Sequence, residues 1–131
     1  MILLDTDVCV AILRGYSNAV ASYSRNRGNV AISAMTVGEL FLGAEKSADR
    51  ERNAIIAERF VASLPVVHTN NAIMRRFGVE KARLQKLGTP VADADALIAA
   101  TALSLGCPLA TGNVRHFSRF QDLELFDWLH L

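Results

Sequence analysis

Long apolar runs are absent from this 131-residue sequence. No stretch reaches the roughly 18 apolar residues that a membrane-spanning helix needs, so no contact with a membrane is expected. Cysteine is scarce. Cys9 and Cys107 lie in the short apolar contexts Val8-Cys9-Val10 and Gly106-Cys107-Pro108, with no C-x-x-C pair and no Cys/His spacing of the zinc-binding kind. Both are expected to be buried free thiols, which fits a reducing cytoplasm. The opening residues Met1-Ile2-Leu3-Leu4-Asp5 meet an acid at once, so a signal peptide, with its basic start and longer apolar stretch, is not expected. Repeats, low-complexity tracts and linkers are also missing. The last shortage is lysine: of the 14 basic residues, 3 are lysine and 11 arginine. Arginine's planar fork matches phosphate oxygens, which is compatible with RNA. Arginine is also an ordinary helix-surface residue, so the bias decides nothing alone.

What is present is enough apolar material, 51% of the chain, to build one core without disulfides. One domain over residues 1–131 is expected. Short apolar runs alternate with longer amphipathic ones. Residues 2–4, 30–33, 66–68 and 108–111 read as strands, and 123–126 as a weaker fifth. Residues 8–14, 18–27, 36–46, 49–64, 71–87 and 94–105 read as helices, several of them stopped by glycine or proline. In the helix over 36–46, Val37, Leu40, Phe41 and Ala44 have core spacing; in that over 49–64, Ile55, Ile56, Phe60 and Leu64 do. Strands separated by helices imply parallel pairing with helices on both faces. In such sheets sites lie beyond the carboxyl ends of the strands.

Oxygen-bearing side chains gather at those ends. Asp5 and Asp7 follow the first strand in Leu3-Leu4-Asp5-Thr6-Asp7. Thr6 or Asp7 can cap the next helix, with Asp5 joining in, yet two acids exceed what one cap requires. Glu39 follows the second strand. Thr36-Val37-Gly38-Glu39 is a capping-box pattern, so Glu39 is read either as a cap or as a ligand pointing back to the strand ends. Asp93 and Asp95 open an alanine-rich helix, where acids suit the helix dipole. One of them is expected as the N-cap, and the other is surplus. Thr111-Gly112-Asn113 after the fourth strand reads as a turn, or as a hydroxyl and an amide oxygen at one more strand end. Each reading is ordinary taken singly. Together they form a cluster of carboxylates that repel one another unless a hard cation lies among them, and Mg²⁺ and Mn²⁺ favour such oxygen ligands. That is the chemistry of phosphodiester hydrolysis.

Four segments occur in order along the chain: Leu3-Leu4-Asp5-Thr6-Asp7, Ile32-Ser33-Ala34-Met35-Thr36-Val37-Gly38-Glu39-Leu40, Asp95-Ala96-Leu97-Ile98-Ala99-Ala100 and Leu109-Ala110-Thr111-Gly112-Asn113-Val114-Arg115-His116-Phe117. They resemble the four signature blocks of VapC-like PIN domains, the ribonuclease toxins of type II toxin–antitoxin systems. No single block is specific; four in register are. The resemblance implies an α/β fold, a three-layer α/β/α sandwich around a mostly parallel sheet of four or five strands. It also implies a Mg²⁺- or Mn²⁺-dependent endoribonuclease, usually dimeric, held inactive by a VapB-like antitoxin.

Carried over residue by residue, the catalytic and metal-binding acids fall on Asp5, Glu39 and Asp95. Thr6, Asp7, Asp93, Thr111 and Asn113 are supporting residues. The fourth position, often Asp in the family, is Asn113 here, which removes a charge and puts a second metal ion in question. Asp7 stands where the family often has Asn and partly restores that charge. Asp93 is read as the helix cap or as an outer carboxylate. Thr111 is expected to hydrogen-bond a ligating carboxylate or a metal-bound water.

Other classes fit less well. A response-regulator receiver domain needs an acid at the end of its third strand and a late lysine; here His68-Thr69-Asn70 follows that strand and the last lysine is Lys86. A haloacid-dehalogenase-type phosphatase shares the Asp-x-Asp start but needs a later lysine motif and usually a longer chain. A non-catalytic binding module on the PIN scaffold loses its acids. One surplus remains. Cys9, Val10, Ile12, Leu13, Ile55, Ile56, Phe60 and Val61 are many apolar residues for one thin core. Either all are buried in the monomer, or some line an exposed groove that receives an antitoxin helix and tail.

Overall fold

The computed structural model describes residues 1–130. The elements in chain order are β1 (Ile2–Leu4), α1 (Thr6–Leu13), α2 (Ser17–Arg25), β2 (Val30–Ser33), α3 (Ala34–Glu45), α4 (Arg50–Ala62), β3 (Val66–Val67), α5 (Asn71–Lys86), α6 (Asp93–Leu105), β4 (Leu109–Thr111), α7 (Val114–Phe117) and β5 (Leu125–Asp127). The five strands form one sheet in the order β3-β2-β1-β4-β5, and every pairing is parallel. The chain first builds outward from β1 to β2 and β3, then crosses to the other side of β1 for β4 and β5. The order therefore reverses at β1, and a crevice forms beyond its carboxyl end, between β2 and β4.

Alternation along the strands serves two cores. Ile2 and Leu4 of β1, with Val30 and Ile32 of β2, pack under α1, α3 and α4 in one layer. Leu3, Ala31 and Leu109 face the other way, toward α5, α6 and α7. Both sheet faces are covered, which gives three layers and explains why the strands read as unbroken apolar runs. Helix α6 is buried nearly all round through Ala96, Ile98, Ala99, Ala100 and Ala102. Small residues let it lie close to the sheet. Among the described residues no helix is long and apolar enough to cross a membrane.

The structure corrects several sequence expectations. Helix α1 starts at Thr6, and its N-cap is Asp5, which accepts from Thr6 N. Thr6 and Asp7 are helical rather than capping. Helix α3 starts at Ala34 with Ser33 as N-cap, so Thr36 is not the cap and Glu39 sits in the second turn. Neither Asp93 nor Asp95 caps α6; Ala92 occupies the N-cap position without a side-chain bond. Ile55, expected inward, is 49% exposed, and Cys107 is only half-buried. Cys9 is fully buried, and burial pushes its thiol well up, so it is no nucleophile. The fifth strand starts two residues later than expected and ends one later, and the short α7 was not expected at all.

Candidate active site

Strand β1 ends at Leu4, and the next residue turns into α1. Asp5 thus lies at the carboxyl end of β1, the central strand, 6% exposed. Its two oxygens are both engaged. Oδ1 accepts from the Thr6 main chain at 2.8 Å, and Oδ2 accepts from the Thr111 hydroxyl at the end of β4, also at 2.8 Å. The Thr111 bond is the one expected for that residue. Burial, and then the Asp7 charge, push the Asp5 carboxyl up to about 8, against the pull of the Thr111 hydrogen bond.

Around Asp5 a continuous polar network crosses three strand ends. The Thr6 hydroxyl donates to Glu39 Oε1 at 2.7 Å and lies 3.0 Å from the Thr36 hydroxyl. Glu39 reaches back from the second turn of α3, which frees it from capping. Asp7 Oδ2 accepts from Gly112 N at 3.0 Å, closing the network on the β4 side. A Cβ at Gly112 would overlap the Leu129 side chain, so glycine is required for this approach. Asp7 Oδ1 is shut off from water with no donor. An unpaired buried carboxylate oxygen is costly, and a cation is one partner that would satisfy it.

Asp95 stands in the first turn of α6, in the other layer, and among the described residues makes no hydrogen bond to this network. Its Oδ2 lies 2.9 Å from His116 Nε2, on α7. Thr111, at the end of β4, also accepts through its hydroxyl from Asn113 N at 2.9 Å. Asn113 contributes through its main chain, its carbonyl starting α7 by accepting from His116 N and Phe117 N. Its side chain is exposed. Asp93 points elsewhere: it pairs with Lys81 on α5, its own side chain 78% exposed. His116 escaped sequence reasoning. The signal was present in Arg115-His116-Phe117, inside the fourth block, with Arg119 three residues on.

Among the described residues no three His, Cys, Asp or Glu side chains converge as a ready-made metal cage. The donor set is all oxygen, which suits a hard cation that keeps several waters and takes one or two carboxylates directly. The orphaned Asp7 oxygen and the mutual repulsion of Asp5 and Asp7 fit such a guest.

A sheet reversing at β1, with acids beyond its carboxyl end, defines a class of α/β proteins. The chain belongs to the PIN domain family, which matches residues 2–123. It is 35% identical over 127 residues to the tRNA(fMet)-specific endonuclease VapC of Shigella flexneri, covering 96% of each chain. It is 34% identical over 128 residues to Ribonuclease VapC2 of Haemophilus influenzae, covering 97% of each. In structure it is similar to a chain of the DNA-bound VapBC of Salmonella typhimurium, with TM-score 0.91, 33% identity and 97% of both chains covered.

Proposed function

We propose that this protein is a divalent-cation-dependent endoribonuclease and the toxin of a toxin–antitoxin pair. The observation that carries the reading is the Thr111–Asp5–Thr6–Glu39 chain of hydrogen bonds beyond β1. Ribonuclease relatives at about this length support it. Asp5, Glu39 and Asp95 would hold Mg²⁺ or Mn²⁺, directly or through its waters. The cation would supply Lewis acidity, polarising the phosphate and offsetting the charge that develops on it. The chain's own residues do the rest. Thr111 and the Thr6 main chain fix both Asp5 oxygens, the Thr6 hydroxyl orients Glu39, and the Gly112 N–H holds Asp7 beside them. Burial of Asp5 keeps the centre dry enough for charge to act strongly.

The partner would be a VapB-like antitoxin, as the antitoxin complexes among the structural neighbours suggest. Phe60 and Cys9 went into the monomer core, but Leu13 stayed exposed. A groove of about 260 Å³ between α1, α3 and α4, lined by Val10, Leu13, Leu40 and Ile56, opens beside Glu39. An apolar antitoxin helix fits there, with a basic side chain reaching the acids in place of the cation. A cytoplasmic homodimer with no membrane contact completes the reading.

The test is cleavage of RNA by purified protein with Mn²⁺, beside an Asp5→Asn control, and induction of both in a bacterial host. Cleavage and growth arrest by the wild type alone are expected. Binding of RNA without cleavage would favour a non-catalytic module instead. Equal growth arrest by both would place the harm outside the acid site.

A further inference from the structure

His116 lies between an acid of the site and an arginine, and the donors decide how its ring is used. Nε2 faces Asp95 Oδ2 at 2.9 Å and Nδ1 faces Arg119 Nη2 at 2.6 Å. A guanidinium only donates, so Nδ1 accepts and the ring proton sits on Nε2, donated to Asp95. Arg119 is itself tethered. Its Nε donates to the His116 carbonyl at 3.0 Å and its Nη1 to the Thr89 carbonyl at 3.1 Å, in the loop leading to α6. Arg83, anchored on buried Glu80, donates to the Arg119 carbonyl at 2.9 Å. Phe117 packs edge-on against the imidazole, with ring centroids 5.1 Å apart. Ring plane, tautomer and position are therefore all set from outside the acid cluster.

We propose that His116, with its tautomer fixed by Arg119, is a positioning residue that holds Asp95 in a single one-oxygen pose toward the cation. The inference rests on the nuclease reading of the acid site. With Oδ2 bonded to the imidazole N–H, the Asp95 carboxylate is held in one orientation, and Oδ1 is the oxygen left without a protein partner. One-oxygen carboxylate binding suits Mg²⁺ and Mn²⁺, whose octahedral shells tolerate little distortion. Histidine and carboxylate commonly meet in the outer shell of metal sites with the histidine ligating; here the order is reversed, the carboxylate facing the metal and the imidazole behind it. Helix α6 alone gives the Asp95 side chain, a third of it in solvent, no partner that would fix its rotamer. The α7 imidazole removes that freedom.

Two measurements on the full chain test this without RNA. The first is Mn²⁺ affinity by titration of the free ion's electron paramagnetic resonance signal, for wild type, His116→Leu, His116→Gln and Asp5→Asn. Gln places an amide N–H near the Nε2 position; Leu keeps bulk without a donor. His116→Leu should weaken binding roughly 10–100-fold, the usual loss for an outer-shell partner, and His116→Gln should recover most of it. Cleavage should follow in kcat with little change in KM for RNA. Loss in both His116 variants alike would assign the effect to ring packing, and no loss in His116→Leu would remove His116 from the site; either overturns the proposal. Asp5→Asn separates the two layers of argument. If it also binds Mn²⁺ like wild type, the acid-site reading itself fails. The second measurement is ¹⁵N NMR of the imidazole. Nε2–H is expected in the wild type, and an Nδ1–H tautomer contradicts the geometry.

Discussion

Asp5 and Asp95, both proposed to hold the cation, are held in opposite ways. Asp5 is 6% exposed, and its bonds come from its own chain neighbour and from a hydroxyl on the adjoining strand. Those partners arrive automatically when the sheet forms. Asp95 stands in the first turn of α6 with a third of its side chain in solvent, and its partner sits on a four-residue helix outside the sheet. Its pose depends on how α7 and the Thr89–Arg119 contact pack. The difference teaches that changes around Asp5 touch folding and chemistry together, whereas changes around Asp95 can reach chemistry alone.

The largest expected effect removes either acid. Asp5→Asn and Asp95→Asn should each cut cleavage by more than the roughly 10–100-fold typical of outer-shell losses. Only Asp5→Asn should also change stability, measured by thermal melts beside the cleavage assay. An equal stability change in Asp95→Asn would erase the contrast. Glu39→Gln belongs with the acids. Since Ser33, not Glu39, serves the α3 N-terminus, the variant should melt like the wild type and be inactive. An active Glu39→Gln enzyme would reduce Glu39 to a structural role.

Thr111→Val comes next. It keeps the shape of the side chain and deletes the hydrogen bond to Asp5, with an expected loss of roughly 10–100-fold. Asn113→Ala should cost less, because the carbonyl rather than the amide side chain starts α7. Steady-state rates on one RNA substrate order the two.

The pH dependence of stability sharpens the Asp5 half. Its folded carboxyl titrates near 8 against an ordinary value of 3.8, so the native state binds an extra proton between those values. Stability of the cation-free chain should therefore fall as pH rises from about 4 to about 8, as far as this group contributes. Asp5→Asn should flatten that slope, and adding Mn²⁺ to the wild type should oppose it. The smallest effect is Asp93→Asn. Its ion pair with Lys81 is exposed and worth at most about 1 kcal/mol, so activity and melting should barely move.

The strand-end acids were readable because a three-residue apolar strand followed by a carboxylate has few structural uses. Four strands, a weaker fifth and parallel pairing with helices on both faces also followed from the alternation; the parallel pairing of β5 did not, because α7 before it carried no clear helical signal. Helix starts were not readable to the residue. Ser33-x-x-Thr36 and Thr36-x-x-Glu39 are overlapping cap patterns, and only the end of β2 at Ser33 breaks the tie. Asp93 looked like a cap because acids favour helix starts, but Lys81 lies on α5, far off in sequence, and claims it. His116 lies inside the fourth block, but no spacing in the sequence ties it to Asp95. Its partner stands 21 residues earlier, and a lone histidine in a basic segment looks like surface until α7 folds beside α6.

Cleavage of a defined RNA by the purified chain, with Mn²⁺ and then with excess EDTA, tests the central claim most directly. The account predicts cleavage in Mn²⁺, none in EDTA, and none from Asp5→Asn in either. Full activity in EDTA, or activity in Asp5→Asn equal to wild type, would contradict it.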